Sequence, residues 1–582
     1  MASNTHRRDF LKMMGAGAAS LTIPGMSSAS NSSSRRPNVI VFITDDQGYG
    51  DLECTGNPHL KTPNWNRLYR ESARLQNFHV SPTCSPTRAA LMTGRYNIRT
   101  GVWHTIMGRS LLRRDEVTMA DVFAASGYQT GIFGKWHLGD NYPFRPQDRG
   151  FQEVFVHGGG GVGQTPDYWG NDYFDDTYFR NGEPVRLRGY CTDIWFDNAI
   201  RFIEANQDNP FFAYVTTNAA HGPFNVADEY SKPYREKGLP ESVANFYGMI
   251  ENLDDNLGRL LQRLHELELE EDTILIFLGD NGSARPYYDG GLRGSKGSPY
   301  EGGHRVACLV RWPGHFRKGS DVNHLTAHID LLPTLIDVCD LARPEGVEFD
   351  GTSIAPLLTG EASGWRDRTL VIDSQRIEKP QKWRKSAVMT DRWRLINGKE
   401  LYDVTADRKQ KNDVSDQNPE VVAKLRDAYE RWWQSVSTRF DEYCRIVLGA
   451  SRGEVSALTC HDWHGGGMTP WNQRHILAGK KSNGWWAVDV AKAGTYDISL
   501  RRWPTELDEP ITASVPGGQA ISADSARVKV GDVDESKPIP DGALEVTFRV
   551  NLKAGQTRLQ TWFMDDQGES RGAYYAYVTR VS

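Results

Sequence analysis

The sequence predicts an α/β protein whose main sheet carries helices on both faces, followed by a small α+β subdomain and a β-sandwich-like region. Three observations lead to this prediction. Short apolar runs alternate with helical patterns over residues 38–267, as in α/β sheets. Each run ends in polar residues able to carry chemistry. Beyond about residue 449 the pattern changes to short strands separated by Gly, Pro and Asp turns.

The first apolar run, residues 38–44, is continuous and rich in β-branched residues, so it predicts a buried central strand. Further strands are predicted at 129–134, 211–217 and 273–278. The helices predicted between them are 62–72, 85–93, 117–126, 190–205 and 241–267. In such sheets the reactive groups collect at the carboxyl ends of the strands. The polar residues at those ends are Asp45, Asp46, Lys135, His137, His221, Asp280 and Asn281.

The pattern divides the chain into four parts. Residues 1–36 are predicted to be a signal and linker, and residues 37–367 are predicted to form the catalytic α/β domain. Residues 368–448 read as a subdomain with short strands at 387–390 and 393–397 and a helix at 419–436. Residues 449–582 read as a β-rich accessory domain with strands at 485–490, 494–501, 544–552 and 557–563.

The N-terminus carries the twin-arginine export pattern, Arg7-Arg8-x-Phe-Leu-Lys, followed by a short apolar stretch and a Ser-rich linker. The alternative is a basic tail without a targeting role. The pattern predicts a bacterial protein exported by the twin-arginine translocase to the periplasm or the medium. Because that route carries folded proteins, a site modified or loaded with metal in the cytoplasm would survive export.

Composition excludes several classes of protein. The chain has 582 residues, of which 39% are hydrophobic and 24% charged, an ordinary globular balance that excludes general disorder. The net charge of −6 does not indicate a nucleic-acid binder. The sequence contains no apolar run near the roughly 20 residues of a membrane span, so we expect no stable membrane insertion.

Cys84 begins the most specific motif in the chain. The seven cysteines are too widely spaced for a zinc ribbon, and their odd number suggests a special thiol. Cys84 is predicted to open a helix with Arg88 one turn along the same face, and both features favour the thiolate. The residues alone leave two readings open, a nucleophile and a buried structural cysteine.

The run Cys-Ser-Pro-Thr-Arg at 84–88, followed by Leu-Met-Thr-Gly-Arg at 91–95, resembles the signature of formylglycine-dependent sulfatases in the alkaline phosphatase superfamily. The resemblance extends over roughly residues 37–440. It implies an alkaline phosphatase-like fold and oxidation of Cys84 to formylglycine (3-oxoalanine) by a formylglycine-generating enzyme. The hydrated aldehyde would be the nucleophile that displaces the alcohol from sulfur.

Asp45, Asp46, Asp280 and Asn281 are candidate metal ligands. Oxygen ligands without paired His or Cys suit Ca²⁺ or Mg²⁺ better than zinc. Each pair taken alone favours a cap or turn, whereas the two pairs together, each at a strand end, favour a metal site. The resemblance implies a calcium site formed by these four residues together with the modified Cys84, with Mg²⁺ as the alternative ion.

The resemblance also assigns roles to four basic residues. Lys135 would bind sulfate and formylglycine, and His137 would deprotonate the diol to release sulfate. His221 would bind sulfate and protonate the leaving oxygen, and Lys296, in a Gly-rich loop, would be a second sulfate-binding lysine. Without the resemblance, a histidine such as His221 at a strand end would read as structural.

Substrate contacts are predicted from weaker signals. His157 precedes a Gly run that permits close backbone approach, and it is either a sulfate contact or a loop residue. Tyr168 and Trp169 open an aromatic and acidic stretch that suits sugar binding, with core packing as the alternative. His324 and His328 are interpreted as packing, because the segment from His328 to Thr334 resembles a structural segment of the superfamily. The segment 460–464 (Cys-His-Asp-Trp-His) is not interpreted as a metal site, since no second ligand pair lies at zinc spacing.

The sequence therefore predicts an exported, arylsulfatase-like sulfatase acting on O-sulfated carbohydrate or a small sulfate ester. One alternative is a phosphonate or phosphate monoester hydrolase of the same superfamily. Another is an inactive glycan-binding homologue, against which the intact set of Cys84, Arg88 and the basic residues argues.

Overall fold

A computed structural model describes residues 36–451, 453–465 and 467–582. The predicted twin-arginine signal therefore lies outside the described residues. In the part that is described, none of the helices is both long and apolar enough to cross a membrane.

The strands between residues 36 and 330 build the main sheet and a separate two-stranded sheet. They are β1 (Asn38–Thr44), β2 (Ala73–Leu75), β3 (Phe78–His79), β4 (Gln129–Lys135), β5 (Glu153–His157), β6 (Thr177–Arg180), β7 (Glu183–Arg186), β8 (Phe211–Thr216), β9 (Thr273–Gly279), β10 (Cys308–Arg311), β11 (Asp321–Val322) and β12 (Thr326–Ala327). The sheet runs β11-β2-β10-β9-β1-β8-β4-β5-β6-β7, while β3 pairs with β12.

The centre of this sheet is parallel. β1 pairs in parallel with β8 and β9, and β4 pairs in parallel with β8 and β5. The carboxyl ends of these five strands therefore meet at one edge, and β10 and β6 add antiparallel flanks. The side chains of β1 alternate between two cores, with Val39 and Val41 in one and Ile40 and Phe42 in the other. A strand buried on both faces explains the continuous apolar run.

Helices cover both faces of the sheet. They are α1 (Pro63–Glu71), α2 (Cys84–Thr93), α3 (Met119–Ala125), α4 (Cys191–Ala205), α5 (Asp228–Glu236), α6 (Glu241–Glu266), α7 (Glu301–His304), α8 (Leu331–Val338) and α9 (Ala355–Thr359). All residues of α2 are buried, and Gly94 ends the helix with φ of 65° while donating to the Ala90 carbonyl oxygen. Pro86 lies in the first turn of α2, where its missing N–H costs no hydrogen bond.

A second, antiparallel sheet follows the main one. Its strands are β13 (Leu370–Asp373), β14 (Ser386–Met389), β15 (Trp393–Ile396) and β16 (Glu400–Asp403), and α10 (Pro419–Val436) follows them. Val388 and Leu395 share a core with Tyr429 of α10. This core also includes Trp103, so the second sheet packs against the loop between α2 and α3.

The C-terminal region forms two sheets around one core. Its elements are β17 (Ile446–Leu448), β18 (Val455–Thr459), α11 (Gln473–Leu477), β19 (Trp485–Val490), β20 (Gly494–Arg501), β21 (Ser525–Val530), β22 (Val533–Pro538), β23 (Val546–Leu552), β24 (Gly555–Met564), β25 (Ser570–Arg571) and β26 (Tyr575–Arg580). One sheet runs β17-β19-β24-β21-β22 with β25 beside β24, and the other runs β18-β26-β20-β23. Trp486 from the first and Ile498 from the second belong to the same buried core.

The predicted α/β class and additional C-terminal β region are confirmed by this architecture. The strands and helices named in the sequence analysis are present with shifts of a few residues at most. β17 begins at Ile446 and pairs with β19. The division into domains at residues 367 and 448 stays a prediction.

Candidate active site

An acidic cluster lies at the carboxyl edge of the parallel strands. Asp45 and Asp46 follow β1, and Asp280 and Asn281 follow β9, so the pairing of β1 with β9 brings the two pairs together. The Asp46 backbone N–H donates to Asp280 Oδ1 at 3.1 Å, and Asn281 Nδ2 donates to Asp46 Oδ1 at 2.9 Å. One ligand atom each from Asp45, Asp46, Asp280 and Cys84 lies within 4.8 Å of the others, and all four residues are buried.

These residues fit a hard divalent cation. The set offers carboxylate oxygens, and Asn281 Oδ1 is a further buried oxygen without a hydrogen-bond partner among the described residues. A buried acceptor left unpaired is costly unless a ligand satisfies it. Oxygen-rich sites of this kind suit Ca²⁺ and Mg²⁺.

Three cations balance the three carboxylates of the cluster. Lys135 Nζ lies 2.5 Å from Asp45 Oδ2, and Lys296 Nζ lies 2.5 Å from Asp46 Oδ1. Arg88 pairs with Asp280 Oδ2 at 3.0 Å. The formal charges are −3 and +3, so a bound divalent cation would leave the site positive and suited to an anionic substrate.

The pKa values of the carboxyls follow from burial and from these neighbours. Burial alone would raise the pKa of Asp46, but Lys296, His221 and the Asn281 amide outweigh it and hold that pKa below its usual range. Burial, together with the negative charge of Asp45, raises the pKa of Asp280 to about 6. Burial lowers the pKa of Lys296, but the Asp46 carboxylate reverses this effect and raises it overall.

Cys84 is buried beside a carboxylate of the cluster. Its Sγ contacts Asp45 Oδ1 at 3.3 Å. Burial and then the Asp45 carboxylate raise the pKa of the Cys84 thiol to about 12. Burial thus opposes the effect of the helix N-terminus on the thiol, and Arg88 is committed to Asp280 and to the Lys135 carbonyl oxygen.

Three predicted histidines surround the cluster. His137 Nε2 donates to the Thr105 carbonyl oxygen at 2.9 Å, so its buried Nδ1 is an acceptor without a partner among the described residues. His221 Nδ1 donates to the Gly222 carbonyl oxygen at 2.7 Å, which leaves Nε2 facing Asp46 Oδ2 at 3.9 Å. His157 Nδ1 donates to the Gly158 carbonyl oxygen at 2.8 Å and likewise leaves a buried, unpartnered Nε2 in the part of the chain described.

Burial lowers the pKa of His221 to about 4, assisted by the nearby charge of Lys296. Burial also lowers the pKa of His157 to about 3 and that of His137 well below its usual value. All three rings are therefore neutral at pH 7 in the structure as it stands.

The contacts of Tyr168 and Trp169 lie on the C-terminal side rather than at the acidic cluster. The Trp169 ring meets Trp503 edge-on with 5.4 Å between centroids, and the Trp169 backbone N–H donates to Glu506 Oε1 at 3.0 Å. The Tyr168 carbonyl oxygen accepts from Gln473 Nε2. The described contacts thus favour packing for Trp169.

Some residues around the site were not predicted. Thr216, at the end of β8, accepts from the Arg88 guanidinium. Thr105 orients His137, and the His461 ring lies 6.1 Å from the His137 ring between centroids. The sequence carries no signal for these contacts except for Thr216, which lies one residue before the end of the predicted strand 211–217.

A second buried cluster, His79, Glu301 and His304, also has ligand-like spacing. The atoms that could bind a metal already have partners in the protein. Both Glu301 oxygens accept from guanidinium groups, Oε1 from Arg394 and Oε2 from Arg305. His79 Nδ1 faces His304 Nδ1 at 2.9 Å. Two guanidinium groups at the same carboxylate disfavour a metal ion there.

Comparisons with known proteins match this chain to sulfatases. A family model described as "Sulfatase" matches residues 37–341, and one described as "N-sulphoglucosamine sulphohydrolase, C-terminal" matches residues 295–434. Human arylsulfatase A is 33% identical over 362 residues, which cover 56% of this chain and 68% of that protein. Human N-acetylgalactosamine-6-sulfatase is 31% identical over 352 residues, which cover 55% of this chain and 66% of that protein, just under two thirds.

Solved structures show the same similarity. The crystal structure of Ps i-CgsB in complex with k-i-k-neocarrahexaose has a TM-score of 0.63 at 26% identity and covers 71% of this chain and 95% of that one. The phosphonate monoester hydrolase of Agrobacterium radiobacter has a TM-score of 0.51 at 22% identity, covering 70% of this chain and 96% of that one. At that identity the second likeness concerns the fold alone.

Proposed function

Because the chain belongs to the sulfatase family of the alkaline phosphatase superfamily and is a sulfuric ester hydrolase, we propose that it removes sulfate from O-sulfated carbohydrates. In this proposal Cys84 is converted to formylglycine, and Asp45, Asp46, Asp280 and Asn281 hold Ca²⁺. The observation that carries it is the contact of Cys84 with a buried, charge-balanced cluster of carboxylates and cations.

Two absent groups would supply chemistry to these residues. The cation, when bound, would neutralise sulfate oxygens and polarise the S–O bond. Formylglycine at position 84 would supply a hydrated aldehyde as nucleophile. The high pKa of the unmodified thiol, about 12, supports the need for such a conversion.

The chain's own residues would then bind the sulfate and move protons. Lys135 and Lys296 lie at the cluster and would hold sulfate oxygens, with Lys296 reachable through its 22% exposed side chain. The Nδ1 atom of His137 is an acceptor without a partner among the described residues, which suits a base. His221 is 19% exposed, and its Nε2 would carry a proton to the leaving oxygen, because an adjacent sulfate favours the protonated ring.

The carbohydrate part of the proposal is supported by the relatives. One is named for the 6-sulfate of N-acetylgalactosamine, and another was solved with a neocarrahexaose. We propose a sulfated glycan or a small sulfate ester as substrate, with His157 as a further sulfate contact through its free Nε2.

Maturation and location belong to the same proposal. A formylglycine-generating enzyme would convert Cys84, and the Arg7-Arg8 motif would direct the folded chain through the twin-arginine translocase to the periplasm or the medium. The catalytic part would be residues 37–367, followed by the subdomain 368–448 and the accessory domain 449–582.

The test is release of free sulfate from 4-nitrophenyl sulfate and from a panel of sulfated mono- and oligosaccharides. The chain is co-expressed with a formylglycine-generating enzyme and supplied with Ca²⁺, and peptide mass spectrometry measures conversion of Cys84. We expect release that is lost in Cys84→Ala. Full turnover by a sample holding only unmodified Cys84 would overturn the mechanism. Turnover of aryl phosphate or phosphonate, with no sulfate release, would instead favour the phosphonate or phosphate monoester hydrolase.

A further inference from the structure

An exposed arginine after the first strand of the second sheet lies near Gly297, the residue that follows the proposed sulfate-binding lysine. Arg376 follows β13, and a β-carbon on Gly297 would lie 3.8 Å from the Arg376 Nη1 atom. Gly297 is the residue after Lys296. Among the described residues, no carboxylate or other acceptor contacts the Arg376 guanidinium, and the residue is exposed. The Arg376 guanidinium is therefore available to bind an anionic ligand.

The backbone that carries Arg376 is held in place from both sides. The Arg376 N–H donates to the Trp103 carbonyl oxygen at 3.2 Å, and Trp103 Nε1 donates to the Ile377 carbonyl oxygen at 3.1 Å. Glu378 accepts from Arg109 at 3.1 Å and contacts His464 Nδ1 at 3.0 Å. The nearest carboxylate along the chain is thus already paired with other residues.

Arg376 also has an unusual backbone conformation. Its φ is +45°, in the left-handed region that non-glycine residues rarely adopt. Such conformations persist only when surrounding contacts impose them, and they concentrate at functional sites. Asp46 and His137 of the candidate active site have φ of 61° and 63°.

His104 adds a hydrogen-bond donor next to this arginine. Its Nδ1 accepts from the Thr105 N–H at 2.7 Å, so the proton of the neutral ring is on Nε2. Burial and then the charge of Arg376 lower the pKa of His104 to about 3, which keeps the ring neutral. No acceptor for Nε2 occurs in the described part of the chain.

We propose that Arg376 and His104 form a second anion-binding subsite beside the reacting ester, which takes another sulfate or a carboxylate of the same substrate. A guanidinium binds such oxyanions through two parallel hydrogen bonds. The natural substrate would therefore be a polyanionic glycan rather than a singly sulfated sugar. This inference rests on the proposed function and specifies its substrate class.

The test compares binding of three tetrasaccharides by calorimetry. One carries several sulfates (ι-carrageenan type), one carries carboxylates only (oligogalacturonate), and one is uncharged (agarose type). We expect Arg376→Ala to weaken at least one charged probe by about 10- to 100-fold, the loss of a charge-assisted hydrogen-bonded contact. Whichever charged probe loses affinity identifies the anion as sulfate or carboxylate. Arg376→Lys should restore part of the affinity.

Controls separate this outcome from a general charge effect. Lys379→Ala removes a positive charge three residues along, where the amine pairs with Asp441 at 3.3 Å and is exposed, and it should leave binding within about twofold. The kcat/KM for 4-nitrophenyl sulfate, which has a single anionic group, should change less than about threefold in Arg376→Ala. If Arg376→Ala bound each charged probe with the same affinity as the wild type, the proposed subsite would be overturned. An equal loss in Lys379→Ala would also overturn it.

The two proposals fail in different ways. If the wild type with converted Cys84 released sulfate from no ester, the proposed function would fail. Calorimetry needs no turnover, so the change in oligosaccharide affinity caused by Arg376→Ala would still show whether the proposed subsite exists.

Discussion

At this site, the ionisation and reactivity of single side chains depend more on the residues they contact than on their intrinsic chemistry. Cys84 at a helix N-terminus would ionise readily in water, but here its thiol is buried and faces the Asp45 carboxylate. Arg88, one turn along, is fully buried and bonded to Asp280, so its charge stabilises that carboxylate instead. The reactivity of position 84 is therefore expected to come from its conversion.

Replacing Arg88 by alanine should destabilise the fold strongly. Asp280 would remain buried without its partner, and breaking a buried ion pair costs about 3–5 kcal/mol. The free energy of unfolding, measured with urea in metal-free buffer, should fall by that amount. Lys232→Ala breaks an exposed i,i+4 pair with Glu236 and should cost at most about 1 kcal/mol. Similar losses in the two variants would contradict this assignment.

Removing divalent cations should abolish sulfate release and lower the melting temperature. A cation at 100 times its Kd stabilises the folded state by about 2.7 kcal/mol. Asn281→Ala deletes the unpartnered buried Oδ1 and should raise the Ca²⁺ concentration needed for half-maximal activity. Asn209→Ala, at an exposed turn, should leave that concentration unchanged. Full activity after exhaustive chelation would contradict a metal site.

At the scale of elements, the parallel strands bring distant residues to one edge. The pairings of β1 with β9 and of β4 with β8 place Asp45, Asp280 and Lys135 together although they are far apart in sequence. This juxtaposition could be predicted, because each predicted strand ended in a polar residue. The sequence did not decide whether the Gly-rich segment after β5 lines the site or is only a loop. In the structure Gly160 lies directly against the His137 ring.

Gly160→Ala tests that contact. A β-carbon on Gly160 would lie 2.1 Å from His137 Cε1, so the ring must move. A displacement near 1 Å at a catalytic group can cost about 100-fold in rate, and we expect kcat to fall at least tenfold. The loss of stability should be about 1–3 kcal/mol. Gly467→Ala, whose nearest neighbour would be 3.9 Å away, should change neither quantity, and an unchanged kcat in Gly160→Ala would contradict the prediction.

At the scale of the whole molecule, the C-terminal region is joined to the catalytic sheet by a shared core. Leu111 and Phe144, from the first part of the chain, pack with Trp463 and Trp486. The Met107 N–H donates to the His461 carbonyl oxygen at 2.8 Å on the same side. The segment 460–464, which the sequence does not predict to be a metal site, borders the site through its contacts with Met107, Glu378 and His137.

We therefore expect one cooperative unfolding transition in calorimetry. Phe144→Ala removes a side chain with 1% exposure from the shared core and should cost about 3–5 kcal/mol. Phe174→Ala, at 41% exposure, should cost less than about 1 kcal/mol. Two separate transitions in the wild type, with Phe144→Ala shifting only one of them, would contradict a shared core.

The sequence by itself determined the family, the fold class and the strand ends that carry Asp45, Lys135 and Asp280. These features depend on local periodicity and on a contiguous motif at 84–95, which a single sequence displays directly. Only the tertiary structure decided the burial of Cys84 beside Asp45, the packing of Trp169 and the approach of Arg376 and His461 to the site. The physical reason is that burial and long-range contacts set these properties. These contacts join residues 39 or more positions apart, whose meeting no local pattern encodes.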